Sequence, residues 1–103
     1  MSITVICAAI QGRNQISFQY NLGGAPGPRL VEPYMVAYNQ ADHLALSAWF
    51  LGGSSESQDG QGWREYLLDG ISNVVVLPYR FTPPRPGYNP APAKLYHSIQ
   101  CAV

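Results

Sequence analysis

The stretch "RLVEPYMVAY", residues 29–38, decides the fold prediction because it is an apolar run that carries one arginine, one acid and one proline. This pattern predicts a strand over Arg29–Tyr38. Pro33 cannot donate a ladder hydrogen bond, so the strand must lie at an edge or carry a bulge. Arg29 and Glu32 have an odd spacing, which predicts opposite faces and no direct pairing unless a proline bulge changes the alternation.

The regions around this stretch predict one helix and four more strands. Ser2 can cap a helix that Gly12 ends, with isoleucines between them at helical spacing, although the β-branched "ITVI" also suits a strand. The other strands are expected at residues 15–20, 43–51, 63–69 and 73–79, and the polar, glycine-rich segment 52–62 is expected to be a mobile loop. The sequence therefore predicts a mainly β domain, a small antiparallel barrel or curled sheet of about five strands with an N-terminal helix.

The end of the chain has a different character. Residues 81–93 are rich in proline, which fixes φ and removes donors, so this piece is predicted to run as an extended polyproline-type chain across the surface. The last segment, 94–103, suits a strand better than a helical turn. We therefore expect a domain over residues 1–81, helix included, and a proline-rich tail over residues 82–103 that packs on it.

Composition limits the function classes. Of 103 residues, 47% are hydrophobic and 12% charged, so most of the chain should fold. Six basic residues balance six acidic ones, which gives no bulk electrostatic argument for nucleic acid and favours self-association.

The cysteines and histidines suggest no metal or cofactor. Cys7 and Cys101 are interpreted as two reduced, half-buried thiols, with a disulfide between the chain ends as the alternative. His43 and His97 are the two histidines and form no closely spaced ligand pair. The N-terminus lacks a basic start, and its apolar run is too short for a leader or a membrane span, so a cytoplasmic location is expected.

Four motifs together resemble a known family. They are "ISFQY" at 16–20, "RLVEP" at 29–33, "WREYLLDGI" at 63–71 and "VVVLPYRF" at 74–81. From about residue 3 to residue 81 the chain resembles the WYL domain, a bacterial module named for a Trp-Tyr-Leu tripeptide. The tail resembles that of small stand-alone WYL proteins, which lack the DNA-binding winged helix of larger relatives.

The resemblance implies an Sm-like or SH3-like β-barrel that senses ligands, with nucleotides or nucleic acid fragments as the expected ligands. By position it assigns Arg29 and Arg64 as basic pocket residues and Tyr66 as the pocket aromatic. The name-giving tripeptide falls at residues 44–46, "LAL", and Gly70 takes the place of a basic residue.

Each candidate has a structural alternative. Arg29 can grip a phosphate or carboxylate, or be a strand-end arginine that is solvated or paired with Glu32. Arg64 and Tyr66 share a face, as stacking plus phosphate contact requires, but an exposed pair has the same spacing. Trp49 can wall a ligand site or close the core, and His43 can be a pocket residue or a surface histidine.

Two functions follow from the sequence. The first is a non-catalytic ligand-sensing module that binds a nucleotide or short single-stranded nucleic acid. The second is a small structural barrel that acts by self-association or protein docking through the two tryptophans and the proline-rich tail. An enzyme is not expected, because no nucleophile elbow and no phosphate-binding glycine loop is present in the sequence.

Overall fold

A computed structural model describes residues 2–23, 25–53, 60–90 and 95–103. The elements in chain order are α1 Ser2–Gly12, β1 Asn14–Tyr20, β2 Gly27–Asn39, β3 Leu44–Gly53, β4 Gly62–Leu67, a 3-10 turn Leu68–Gly70, β5 Ile71–Arg80 and β6 Tyr96–Ala102. The predicted helix, the five predicted strands and the strand assigned to the last segment are confirmed. The predicted mobile loop at 52–62 falls mostly outside the described residues.

The strands form one antiparallel sheet in the order β4-β3-β2-β1-β5, and β6 pairs with β2. The sheet has six strands rather than about five, because the last segment joins it. Within the described residues the two ends of this path, β4 and β5, form no ladder with each other. The mainly β class with an N-terminal helix is confirmed, and closure into an Sm-like or SH3-like barrel stays a prediction.

Strand β2 carries the bulge that its proline predicts. Pro33 pairs with Ala48 and Met35 pairs with Ser47, so Tyr34 is the extra residue on β2. The first part of β2 pairs with β1 and the last part with β6, while β3 runs along nearly its whole length. β2 is therefore the central strand, and residues 31–37 are all buried.

The main core lies between α1 and one face of the sheet, which we call the helix face. Ile6, Ala9 and Ile10 of α1 are buried against it, as their helical spacing predicts. The helix ends where Arg13 adopts a left-handed conformation, with φ of 58°, and donates its backbone N–H to the Ile10 carbonyl. The sheet contributes buried residues from β1 to β5, including Ile16, Phe18, Val31, Val36, Leu46, Phe50, Tyr66 and Ile71.

The interpretation of the cysteines as reduced thiols is wrong. Cys7 and Cys101 form a disulfide that joins α1 to β6 across 94 positions of sequence. Cys101 pairs with Val36 of β2, so β6 lies beside the helix that packs on that strand. The pairing of β6 brings the two thiols together, so the alternative interpretation, a disulfide between the chain ends, is confirmed.

The proline segment, residues 81–90, contains no strand, as its missing donors predict. It is not extended throughout, because the Tyr88 N–H donates to the Arg85 carbonyl and the chain turns between them. The predicted polyproline conformation is therefore wrong at this turn. The division of the chain into a domain and a tail at residue 81 stays a prediction. Among the described residues, no helix has the length and apolar character needed to cross a bilayer.

Candidate functional site

The sheet has two chemically different faces. Across β2, β3 and β4 the partners Glu32, Trp49 and Trp63 stand in one row, so they project to the same side. This side, opposite the helix face, is called the tail face because the proline segment packs on it. Arg64 pairs with Ala48, so it projects to the helix face.

Arg29 lies on the helix face, where it is only 6% exposed. Its Nη1 donates to the Gly27 carbonyl at 3.0 Å and its Nη2 to the Ala25 carbonyl at 2.5 Å. Its Cζ lies 5.5 Å from the centre of the Tyr20 ring. Glu32 projects to the tail face, so the prediction that the two residues do not pair is confirmed. Arg29 therefore stabilises the segment that leads into β2 through hydrogen bonds to its carbonyls, and it packs on the Tyr20 ring.

Arg64, on β4, makes similar contacts on the helix face. Its Nη1 donates to the Trp63 carbonyl at 2.9 Å and its Nη2 to the Gly60 carbonyl at 3.0 Å. Its Cζ lies 5.3 Å from the centre of the Phe50 ring. Each guanidinium carries five N–H donors, so these carbonyls leave further donors on both arginines.

Tyr66 lies on the same face as the two arginines. Its ring is buried and packs edge-on against Phe18, at 5.1 Å, and Tyr20, at 5.0 Å. Burial raises the Tyr66 pKa, and the charges of Arg29 and Arg64 together with a hydrogen bond from Arg29 act in the opposite direction. The structure thus brings together three of the five predicted site residues.

Gly70 adjoins this cluster. A Cβ added to Gly70 would lie 2.7 Å from Leu22 Cγ and 2.9 Å from Tyr20 Cε1. The Tyr20 hydroxyl accepts the Leu67 N–H at 3.0 Å, which fixes the ring. The side chains of β1 and the following turn therefore fill the space in which the resemblance implies a basic side chain.

His43 and Trp49 do not join the cluster. His43 is exposed and precedes β3 at the end where Tyr38 pairs with Leu44, whereas Arg29 pairs with Gly53 at the other end. The nine residue steps between these ends of β3 span about 30 Å. Trp49 lies on the tail face, where it packs edge-on against Trp63 at 5.5 Å.

The tail face holds a second cluster that the sequence interpretation missed. Arg85 forms an ion pair with buried Glu32, and its Cζ lies 5.1 Å from the centre of the Trp49 ring. Trp63 donates its indole N–H to the Pro86 carbonyl at 2.6 Å and stacks with Tyr88. The available signal was Glu32 itself, because an acid in a buried strand requires a cation from elsewhere.

The comparison with known proteins agrees with the sequence motifs. A family model of the WYL domain matches residues 2–76 of the 103, a range that includes α1, β1 to β4 and part of β5. No curated protein matches the chain significantly. WYL domains are regulatory modules of the ligand-sensing type, and the matched range contains Arg29, Arg64 and Tyr66.

Proposed function

Because the chain belongs to the WYL domain family, we propose that it is a non-catalytic sensor that binds a nucleotide or a short single-stranded nucleic acid. The observation that carries this proposal is that Arg29 and Arg64 lie on the same face of the sheet and that the charges of both act on the hydroxyl of buried Tyr66. Guanidinium groups are well suited to phosphate because their planar donors match its oxygens.

The geometry supports a division of roles within the cluster. Tyr66 is 4% exposed, so it positions the arginines and offers little surface to a base. Tyr20 is half-buried and lies under Arg29, which makes it the better ring for stacking. Stacking on one aromatic ring contributes about 1–3 kcal/mol per base. Arg29 is only 6% exposed, so the ligand would use mainly the donors of half-buried Arg64 that the backbone carbonyls do not occupy.

The test is the anisotropy of a fluorescently labelled single-stranded oligonucleotide, titrated with protein at several salt concentrations. Each phosphate contact should contribute about 0.7 to the slope of log affinity against log salt. Arg64→Gln should weaken binding and lower the slope by about that amount. Arg80→Gln is the matched control. Arg80 is exposed and lies at the end of β5 that pairs with Asn14, whereas Tyr20 pairs with Ile71 at the other end.

Two results would reject the proposal. One is the absence of oligonucleotide binding and of nucleotide binding at low salt. The other is an equal loss of affinity in the Arg64→Gln and Arg80→Gln variants, since that would indicate general attraction rather than a site.

A second candidate function is self-association, and one observation favours it. β5 lies at an end of the sheet path and exposes Val75, Val76 and Tyr79, which are 51%, 43% and 65% exposed. An edge strand with exposed apolar side chains and no net charge on the chain suits pairing with a second copy. Light scattering after size exclusion over a range of concentrations tests it, and a monomer at all of them would count against it.

A cytoplasmic location belongs to the first proposal, and the disulfide does not support it. Structural disulfides occur mainly in oxidising compartments. Cell fractionation with detection of the protein tests the location directly. The absence of catalysis and of a cofactor likewise stays a prediction.

A further inference from the structure

A cavity of about 340 Å³ lies on the tail face, between the strands and the residues that follow β5. Aromatic rings form much of its wall, contributed by Trp63 of β4, Tyr88 of the proline segment and Tyr96 of β6. Met35 and Leu95 add apolar surface. Small-molecule sites have volumes of about 300–1,000 Å³ and mostly apolar walls, so this cavity suits a small ligand.

Two charged residues line the cavity, and they differ in how far other groups already bind them. Arg64 and Glu65 both line it, but the Arg64 guanidinium donates to the Trp63 and Gly60 carbonyls and lies against the Phe50 ring. The Glu65 carboxylate accepts a hydrogen bond from the neutral Asn39 amide at 2.9 Å. Within the described ranges Glu65 forms no ion pair. Among the described residues, the carboxylate on the cavity wall therefore has no ion-pair partner.

The Glu65 carboxylate also influences one of the rings that line the cavity. Burial raises the Tyr96 pKa, the Glu65 charge raises it further, and a hydrogen bond with Ser47 lowers it. Glu65 thus acts electrostatically on a tyrosine that lines the cavity. Tyr88 stacks on Trp63 with ring centres 5.9 Å apart, and these two rings, Tyr96 and Glu65 all line the same cavity.

A neighbouring site on the tail face shows an acid and an aromatic ring that together bind a cation. The Arg85 guanidinium is bound by the Glu32 carboxylate and lies over the Trp49 ring. Trp49 in turn packs edge-on against Trp63 of the cavity. An aromatic face and a carboxylate attract a cation together, the ring through its quadrupole and the acid through its charge.

We propose that the cavity is a binding site for a small organic cation, an alkylammonium or guanidinium compound. Trp63, Tyr88 and Tyr96 contact the cation, and Glu65 supplies the opposite charge. Arg64 reaches the wall of this cavity, but the cation site uses neither its guanidinium nor that of Arg29, so it goes beyond the proposed nucleotide site and does not depend on it.

The test compares choline with dimethylbutanol, its uncharged carbon isostere, as ligands of the whole chain. Binding is followed in proton–nitrogen correlation spectra, where the indole N–H of Trp63 should shift more than that of Trp49. Choline should bind about tenfold or more tightly than the alcohol, because the cation adds the ring and carboxylate attractions. Equal affinity of the two compounds, or no binding of choline, would overturn the proposal.

Two acid variants locate the site. Glu65→Gln keeps the shape of the side chain and should lower choline affinity about tenfold while leaving the alcohol unchanged. Asp69→Asn is the matched control, because Asp69 is an exposed acid on the 3-10 turn and does not line the cavity. The dispersion of the backbone signals shows that each variant is folded. Equal choline affinity in wild type and Glu65→Gln, or an equal loss in Asp69→Asn, would also overturn the proposal.

Discussion

Arg85 and Glu32 form a bidentate ion pair: Nε and Nη2 of Arg85 each lie 2.8 Å from a different carboxylate oxygen of Glu32. The two residues are 53 positions apart in sequence. The Arg85 backbone N–H also donates to the Tyr34 hydroxyl at 3.1 Å. These contacts attach the proline segment to the central strand, and they explain why an acid occupies the buried stretch 31–37.

The first prediction concerns this ion pair. Arg85→Met should lower the free energy of unfolding by about 1–3 kcal/mol, because it leaves the Glu32 carboxylate buried without a partner. The Arg85 side chain is 36% exposed, so solvent moderates the loss relative to a fully buried pair. Urea unfolding of both proteins measures the difference.

A double variant separates the charge from the packing. Glu32→Gln combined with Arg85→Met removes both charges, so most of the lost stability should return. If the double variant is as unstable as Arg85→Met alone, the loss comes from packing over Trp49 rather than from the unpaired acid.

The second prediction concerns the disulfide. Reduction, or replacement of Cys7 and Cys101 by serine, should lower the free energy of unfolding by about 2–5 kcal/mol, since the bond closes a long loop. Unfolding in guanidinium with and without reductant measures this effect. The double serine variant should give the same unfolding curve with and without reductant. A wild-type unfolding curve that does not change when reductant is added would contradict the prediction.

The third prediction is a loss of stability at alkaline pH. Burial is the main cause that raises the pKa of Tyr34, Tyr66, Tyr88 and Tyr96 above the ordinary value of 10.0. In the unfolded chain these hydroxyls ionise near 10.0, so the stability they contribute is complete below that pH and is lost as the pH rises through the folded values. Urea midpoints on either side of this pH should show the decline.

Tyr88→Phe provides a control for this decline. The Tyr88 hydroxyl is buried and has no hydrogen-bond partner among the described residues, so its removal takes away one raised pKa without breaking a bond. The variant should lose less stability across the alkaline range than wild type. An equal or steeper loss would contradict the assignment.

The fourth prediction concerns Gly70. Gly70→Ala should destabilise the fold by about 1 kcal/mol, the lower end of the cost of overpacking, because exposed Leu22 can rotate away while Tyr20 is held. Leu22→Ala in the same chain should relieve only the part of the clash that Leu22 makes, because the Tyr20 ring stays in place. Urea unfolding of the single and double variants checks this, and a Gly70→Ala protein as stable as wild type would show that both neighbours move freely.

The features that could be predicted from the sequence are those that depend on neighbouring residues along one strand. The alternation along β2 placed Arg29 and Glu32 on opposite faces, and Pro33 indicated the bulge at Tyr34. The clustering of Arg29 with Arg64 and Tyr66 came from a family resemblance, since residues on different strands meet only through the pairing of the sheet. The partnership of Glu32 with Arg85 could not be predicted, because it depends on a turn within the proline segment that joins distant parts of the chain.

The bond between Cys7 and Cys101 makes nearly the whole chain a covalent ring. A protease that cuts one peptide bond between these residues produces a nicked molecule of unchanged composition rather than two separate fragments. The six strands would then stay at a high effective concentration with respect to one another, so the sheet can re-form after a single cut. We therefore expect the nicked protein to stay folded for as long as its surroundings keep the two sulfurs oxidised.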